Sequence, residues 1–361
     1  MKMKHAMTPL ALLATCGLAA AQSSVTLFGI ADATVQVGSG STANRTQLGS
    51  GGNSSSRIGV RGTEDLGGGL SAGFWLEAGL TLDSGTFGTT NTSNQTAGTS
   101  GGGGLVFGRR STVSLLGTWG ELRLGRDYSV QYYNRFEFDP FGNNGVGSSQ
   151  TNVGSLGGPV SSRASNALMY FLPPGLGGWY GELQHYRGEN PGNAGAIADD
   201  GTGSGARLGY RAGALNLSAA HARTRYARTA TTGDITSSNL GARYDAGPFT
   251  AMGGIYRDRV ATLTGTVGRG VQLGGIYRVG TGEVKVQWSQ YQATQAAGGG
   301  SEPETKKLSL GYVHHLSKRT ALYATYARVR NSGGATTALN GAATAANQAS
   351  SGLDLGVRHS F

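Results

Sequence analysis

The sequence predicts an all-β chain, a sixteen-stranded antiparallel transmembrane β-barrel. Three observations predict it. Apolar and polar residues alternate along the chain, the connections between alternating stretches are short and long by turns, and the composition is unusual. The 361 residues include 64 Gly and 15 Tyr, and only 14% are charged, against about a quarter charged in ordinary globular domains. All-β barrels of this size form one domain.

The first residues read as an export signal. Lys2, Lys4 and His5 form a positive segment, Leu10 to Leu18 an apolar one, and Ala19-Ala20-Ala21 a cleavage site before Gln22. The apolar run is too short to span a bilayer as a helix. Residues 1–21 are therefore expected to be a cleaved signal peptide and 22–361 the barrel domain. Cys16, the only cysteine, lies inside the signal. The competing reading makes it an acylated lipoprotein residue, but Thr15 precedes it where a small Ala or Gly is expected. Cleavage before Gln22 leaves a chain with no thiol, hence no disulfide and no thiolate metal site.

After Gln22 no segment sustains a helical period, whereas period-2 stretches recur. Leu208, Tyr210 and Ala212 share one face of their segment, opposite Arg207, Gly209 and Arg211. Leu240, Ala242 and Tyr244 oppose Asn239, Gly241 and Arg243; Val284, Val286 and Trp288 oppose Lys285, Gln287 and Ser289. Leu308, Leu310 and Tyr312 oppose Lys307, Ser309 and Gly311. Turn chemistry marks seven short connections, near 63–68 and at 117–120, 173–178, 211–215, 245–248, 279–282 and 315–319. Eight long ones rich in Gly, Ser, Thr, Asn and Ala lie near 38–54, 83–103, 127–162, 188–204, 226–234, 260–267, 293–304 and 331–350. Seven turns and eight loops join sixteen strands.

A secreted sandwich is the soluble alternative. An even strand number with short turns at one rim and long loops at the other is the membrane-barrel pattern. Lipid then faces the apolar positions and water the polar ones. The final stretch, "SGLDLGVRHSF", fits this arrangement. Leu353, Leu355 and Val357 face lipid, Asp354, Gly356 and Arg358 face the lumen, and the strand closes on the first one. Phe361 falls on the lipid face at a rim, where aromatic residues anchor. His359 shares that face, which alternation does not explain.

Five stretches, in order, resemble the trimeric general porins of β-proteobacteria, particularly the anion-selective members: "QSSVTLFGIADA" (22–33), "SRIGVRGTEDLGGGLSAGFWLE" (56–77), "RRSTVSLLGTWGELRLGRDY" (109–128), "GYVHHLSKRTALYA" (311–324) and "GVRHSF" (356–361). The resemblance implies a homotrimer in the outer membrane of a Gram-negative cell, with one pore per subunit passing small anionic or neutral solutes. It implies a third loop, about 127–162, folded inward as a constriction. It also implies that Phe361 is recognised by the outer-membrane assembly machinery, and that outer-membrane lipid and lipopolysaccharide surround the barrel.

Selectivity needs fixed charge where a pore narrows, and rings of Arg or Lys favour anions. In the constriction loop Glu137 and Asp139 are the acids, and Tyr132, Tyr133, Phe136, Phe138 and Phe141 are expected to pack it against the wall. Arg57 shares a face with Gly59 and Arg61, and Arg163 with Ser165 and Ala167, so both point to the lumen and match the family's basic cluster. Arg109 or Arg110 supplies the third position. Alternation with Val113 and Leu115 favours Arg110; a bulge would substitute Arg109. By parity Glu77 and Asp32 also face the lumen, so the field is mixed.

The net charge of +10 falls to +8 once Lys2 and Lys4 leave with the signal. The excess is dispersed among strands with no basic run, which argues against nucleic acid. "GTSGG" (98–102) and "GTGSGA" (201–206) mimic a nucleophile elbow and a dinucleotide fingerprint, but neither has the strand–helix context required. The histidines show no metal-ligand spacing. The chain is expected to be no enzyme and to use no cofactor or metal. A weakly selective or cation-preferring porin is the alternative, with a barrel enzyme or an adhesin behind it.

Overall fold

The alternation becomes strands, described in a computed structural model that covers residues 24–100, 104–149, 156–295 and 300–361. The expected signal peptide lies outside the described residues. Sixteen long strands form the wall among them: β1 (Ser24–Ser39), β2 (Arg57–Gly67), β3 (Leu70–Thr81), β4 (Arg110–Gly117) and β5 (Gly120–Tyr128) come first. A helix, α1 (Val130–Glu137), precedes β6 (Arg163–Phe171), β7 (Trp179–Tyr186), β8 (Gly203–Ala212), β9 (Leu215–Thr224) and β10 (Ile235–Ala246). There follow β11 (Phe249–Val260), β12 (Thr266–Val279), β13 (Gly282–Gln295), β14 (Glu304–His315), β15 (Thr320–Ser332) and β16 (Ser350–Ser360). Arg45–Ser50 extends the sheet beside β1, and three two-residue strands lie in the loop after β3.

Each long strand pairs antiparallel with its sequence neighbours, and β1 joins both ends. Its first half pairs with β2 (Ile30 opposite Arg57), its second half with β16 (Asp32 opposite Arg358). The ring closes, so no edge is left to pair with another chain. All seven short turns occur. The first falls later than expected, at 68–69, because β2 runs on through an irregularity between Asp65 and Gly67.

Burial is inverted relative to a soluble protein. Leu183, Ile255, Leu308 and Leu310 are exposed, while Gln272, Gln287, Ser289 and Lys307 are almost fully covered. Their cover is the segment after β5, which runs inside the barrel. At one end Asn134 Nδ2 donates to Ser218 O (3.2 Å) and Asn239 Oδ1 (2.6 Å), on β9 and β10. Gln272 on β12 donates to Phe138 O at 2.6 Å, and Lys307 on β14 to Ser148 O at 2.7 Å. Val146 N donates to Asp354 on β16 at 2.8 Å, and Ser55 N, just before β2, to Asn144 Oδ1 at 2.9 Å. These partners lie on strands spread around the wall, so the third loop crosses the lumen.

The wall accommodates the loop by omitting side chains. A Cβ on Gly241 would strike the ring of Phe138, one on Gly274 would meet Pro140, and one on Gly311 would lie 2.7 Å from the ring of Phe141. Helix α1 is a departure from the purely stranded expectation. Eight residues give barely two turns, and the faces divide between wall and water, so no apolar stripe repeats along them. Gln131 and Asn134 bond the wall, and Tyr133, Phe136 and Glu137 share the other side.

Candidate functional site: the arginine-lined lumen beside the third loop

Strands β2–β5 carry one dense cluster of the lumen's charge. Glu77 on β3 accepts from Arg109 Nε at 2.5 Å and from Arg57 Nη1 at 3.4 Å through the same oxygen. Arg57 also donates to Ser55 O and Ser54 Oγ, each at 3.0 Å, and Arg109 Nη2 to Tyr128 Oη at 3.2 Å. Asp127 on β5 lies 3.3 Å from Arg110 Nε and 2.7 Å from Arg123 Nη1. Carboxylates thus hold arginines in pairs, fixing guanidinium positions while removing part of their charge.

The choice between Arg109 and Arg110 dissolves. Arg110 stands opposite Glu77 in the β3–β4 register, on the lumen face that alternation assigns it. Arg109 precedes the first residue of β4, so the pleat no longer dictates its direction, and its side chain also turns to Glu77.

Aromatic faces support the same groups. Arg110 lies 4.5 Å from the Trp75 ring centroid, Arg123 4.1 Å from Phe171, and Arg163 4.6 Å from Tyr128. Across the lumen on β8, Arg207 sits between Tyr133 (4.5 Å) and Tyr180 (5.1 Å). Stacking restrains a guanidinium without neutralising it. Burial pushes the phenols of Tyr132 and Tyr133 above their ordinary range, so these two rings stay uncharged.

The two loop acids separate. Glu137 faces the lumen, accepting from Arg211 Nη2 at 3.0 Å and Asn216 Nδ2 at 2.9 Å. Asp139 is buried and turned into the loop, where it accepts from Phe141 N (2.7 Å), Ser149 N (2.8 Å) and Ser149 Oγ (2.8 Å). It holds 139–149 in shape. Of the five loop aromatics, Tyr132, Phe138 and Phe141 are buried, whereas Phe136 is exposed and Tyr133 borders the water-filled space. Asp32 faces inward as parity predicts, but it is consumed by Asn53 N (3.0 Å), Ser54 N (2.6 Å) and the Tyr323 hydroxyl.

A cavity of about 800 Å³ is lined by Arg57, Arg109, Arg110, Arg123, Arg207 and Arg211, with Glu77, Asp127, Glu137 and Glu182 as its acids. Six guanidinium groups face four carboxyl groups. A second cavity, of about 380 Å³, carries Arg243, Lys285 and Arg358. Arg57, Phe136 and Glu137 border both, so the passage between them runs past these three residues. Arg163 lies beside this lining, its Nε on Arg109 O at 2.9 Å. Alternation had already put Arg207 and Arg211 on a polar face. What it lacked was their height relative to the loop, and for Arg123 no signal stood out.

The sequence pattern of the Gram-negative porin family matches residues 6–334. Outer membrane porin protein 32 of Delftia acidovorans is 34% identical, over 99% of this chain and 100% of that protein. An outer membrane porin protein of Bordetella pertussis is 27% identical over the same shares. Among solved structures, an anion-selective porin from Comamonas acidovorans aligns with a TM-score of 0.79 and 33% identity, covering 94% of this chain and all of that one. The trimer form of OmpT from Vibrio cholerae, at 14% identity and a TM-score of 0.64 over 94% of this chain and 99% of that one, shares the fold.

Proposed function

Because the chain belongs to the Gram-negative porin family, it is an outer-membrane channel and not an enzyme, and we propose that it prefers anions. The proposed constriction lies between Arg57, Arg109 and Arg110 on the wall and Phe136 and Glu137 on the third loop. The observation that carries this reading is the excess of guanidinium groups over carboxyl groups in the cavity beside the loop. Fixed charge in a narrow, low-dielectric passage is poorly screened and favours the opposite mobile ion. The similarity to a porin described as anion-selective supports the same sign. Arg163 takes a supporting place, holding Tyr128 and the backbone of Arg109. A weakly selective or cation-preferring pore is the second reading, favoured by the way Glu77 and Asp127 each engage two arginines.

The proposal includes a homotrimer. Its support is the outward face of β16 and β1–β4, where no described lysine or arginine projects. Val25, Leu27, Val35, Val37 and Val113 are exposed there, so apolar surface reaches both rims. Residues 1–21 are read as the signal for export, and Phe361 as the element the assembly machinery recognises. The reversal potential of the reconstituted protein across a KCl gradient tests the central claim. A potential on the anion side is expected, and one on the cation side overturns it.

A further inference from the structure

In the lining of the larger cavity, all but one of the inward aromatic rings carry a guanidinium. Trp75 holds Arg110, Tyr128 holds Arg163, Phe171 holds Arg123, and Tyr133 and Tyr180 enclose Arg207. Among the described residues, Phe136 is the inward ring of this lining on which no guanidinium lies. It leans on Tyr128 with ring centroids 6.3 Å apart and is 37% exposed, where the two cavities meet. An apolar ring left in water costs free energy in proportion to its uncovered area. A channel for small inorganic ions gains nothing from such a ring at the proposed constriction.

The wall opposite is incomplete in the complementary way. Arg57, Arg109, Arg123 and Arg211 each donate from a terminal nitrogen to a neighbouring residue, and Arg207 is buried between its two tyrosines. Arg110 donates only through Nε, to Thr112 Oγ1 at 3.0 Å, with Asp127 Oδ2 at 3.3 Å from the same nitrogen. Its two terminal nitrogens have no hydrogen bond to any described residue. Glu77, which stands opposite it in register, is taken up by Arg57, Arg109 and the Trp75 indole, the last at 3.1 Å. Trp75 also braces the Arg110 guanidinium. A donor fork is thus held in place with nothing in the chain to receive it.

A free ring face and a free guanidinium fork that line one cavity select a solute carrying both complements. We propose that the passage binds aromatic carboxylates, planar anions of the benzoate type, with the ring on Phe136 and the carboxylate on the terminal nitrogens of Arg110. A carboxylate accepts two parallel N–H bonds from one guanidinium, and offset stacking adds to the attraction that area burial alone gives. Aliphatic acids lack the stacking contribution, and neutral aromatics lack the charge. Asp127 and Glu137 line the same cavity and temper the attraction, so the solute is held weakly enough to leave, as conduction requires. The site names a substrate class for the channel proposed above and rests on that placement of the passage.

The test follows interruptions of single-channel current through the reconstituted parent as benzoate, cyclohexanecarboxylate or benzyl alcohol is added to KCl. The two acids match in charge and nearly in size, but only benzoate is planar and aromatic. Benzoate is expected to interrupt the current at a roughly fivefold lower concentration than cyclohexanecarboxylate, the factor that one aromatic pair supplies. Benzyl alcohol should have no effect in the same range. Within Phe136→Leu the benzoate advantage should vanish, and within Phe136→Tyr it should persist; each ratio is internal to one variant, so altered pore width does not enter it. Arg110→Gln should weaken both acids roughly tenfold. Equal potency of the two acids in the parent overturns the proposal, as does benzyl alcohol as potent as benzoate, and neither comparison needs a variant to fold. So does a benzoate advantage retained in Phe136→Leu, or undiminished potency in Arg110→Gln. A parent with an anion-side reversal potential that does not discriminate between the acids overturns this site and leaves the proposed function standing. Discrimination by a parent whose reversal potential lies on the cation side upholds the site and overturns the general preference.

Discussion

Arg109 Nε meets Glu77 Oε1 at 2.5 Å, and Arg57 approaches the same oxygen at 3.4 Å, so one carboxylate restrains two of the arginines beside the passage. The proposed anion preference rests on the charge that such pairing leaves over.

Glu77→Gln should therefore strengthen anion preference. It removes a negative charge from the lining while its amide oxygen can still accept from one guanidinium. The reversal potential should move to the anion side, most at low salt, where the Debye length of about 30 Å at 0.01 M leaves fixed charge unscreened. A shift toward cations would count against the proposed wall.

Neutralising the wall should do the opposite. Arg57→Gln with Arg109→Gln is expected to carry the potential toward the cation side, and Arg110→Gln to act in the same direction, since both neighbours reach the lumen. Arg163→Gln should shift it least, because that side chain lies beside the lining. Equal shifts from Arg163 and Arg57 would place the constriction elsewhere.

The loop acids should separate in single-channel recordings. Glu137→Gln is expected to raise anion preference at nearly unchanged conductance. Asp139→Asn loses the acceptor that gathers Phe141 N, Ser149 N and Ser149 Oγ, and should give noisier currents with a smaller change in preference. A quiet Asp139→Asn channel with a large selectivity shift would mean that this carboxylate faces ions.

Filling the groove beneath the loop should dislodge it. Gly311→Leu denies Phe141 its seat, since even a Cβ there lies 2.7 Å from the ring. Liposome swelling with sugars of increasing size should show a raised exclusion limit. An unchanged limit would indicate that the loop does not set the pore's width.

The terminal aromatic should matter to assembly. Phe361 and Gly29 exchange backbone hydrogen bonds of 3.0 and 3.1 Å, and the ring covers Gly29 on the outward side of the seam between β1 and β16. Phe361→Asp is expected to leave export intact and reduce folded, heat-modifiable protein in the outer membrane severalfold. Parent levels of folded protein would argue against an assembly role.

Strand number, turn positions, the inward face of Arg57 and the outward face of Leu308 were all legible in the sequence. The reason is that a β-strand has a period of two and lipid tolerates only one of its faces. A pattern so local cannot report height or what lies across a lumen. The structure alone decided that Arg207 and Arg211 oppose the wall of β2–β5, and that Asp139 serves the loop while Glu137 serves the passage. Each depends on register between strands or on where an inserted loop comes to rest. These are contacts between residues far apart in the chain, and side-chain alternation within one strand carries no information about them.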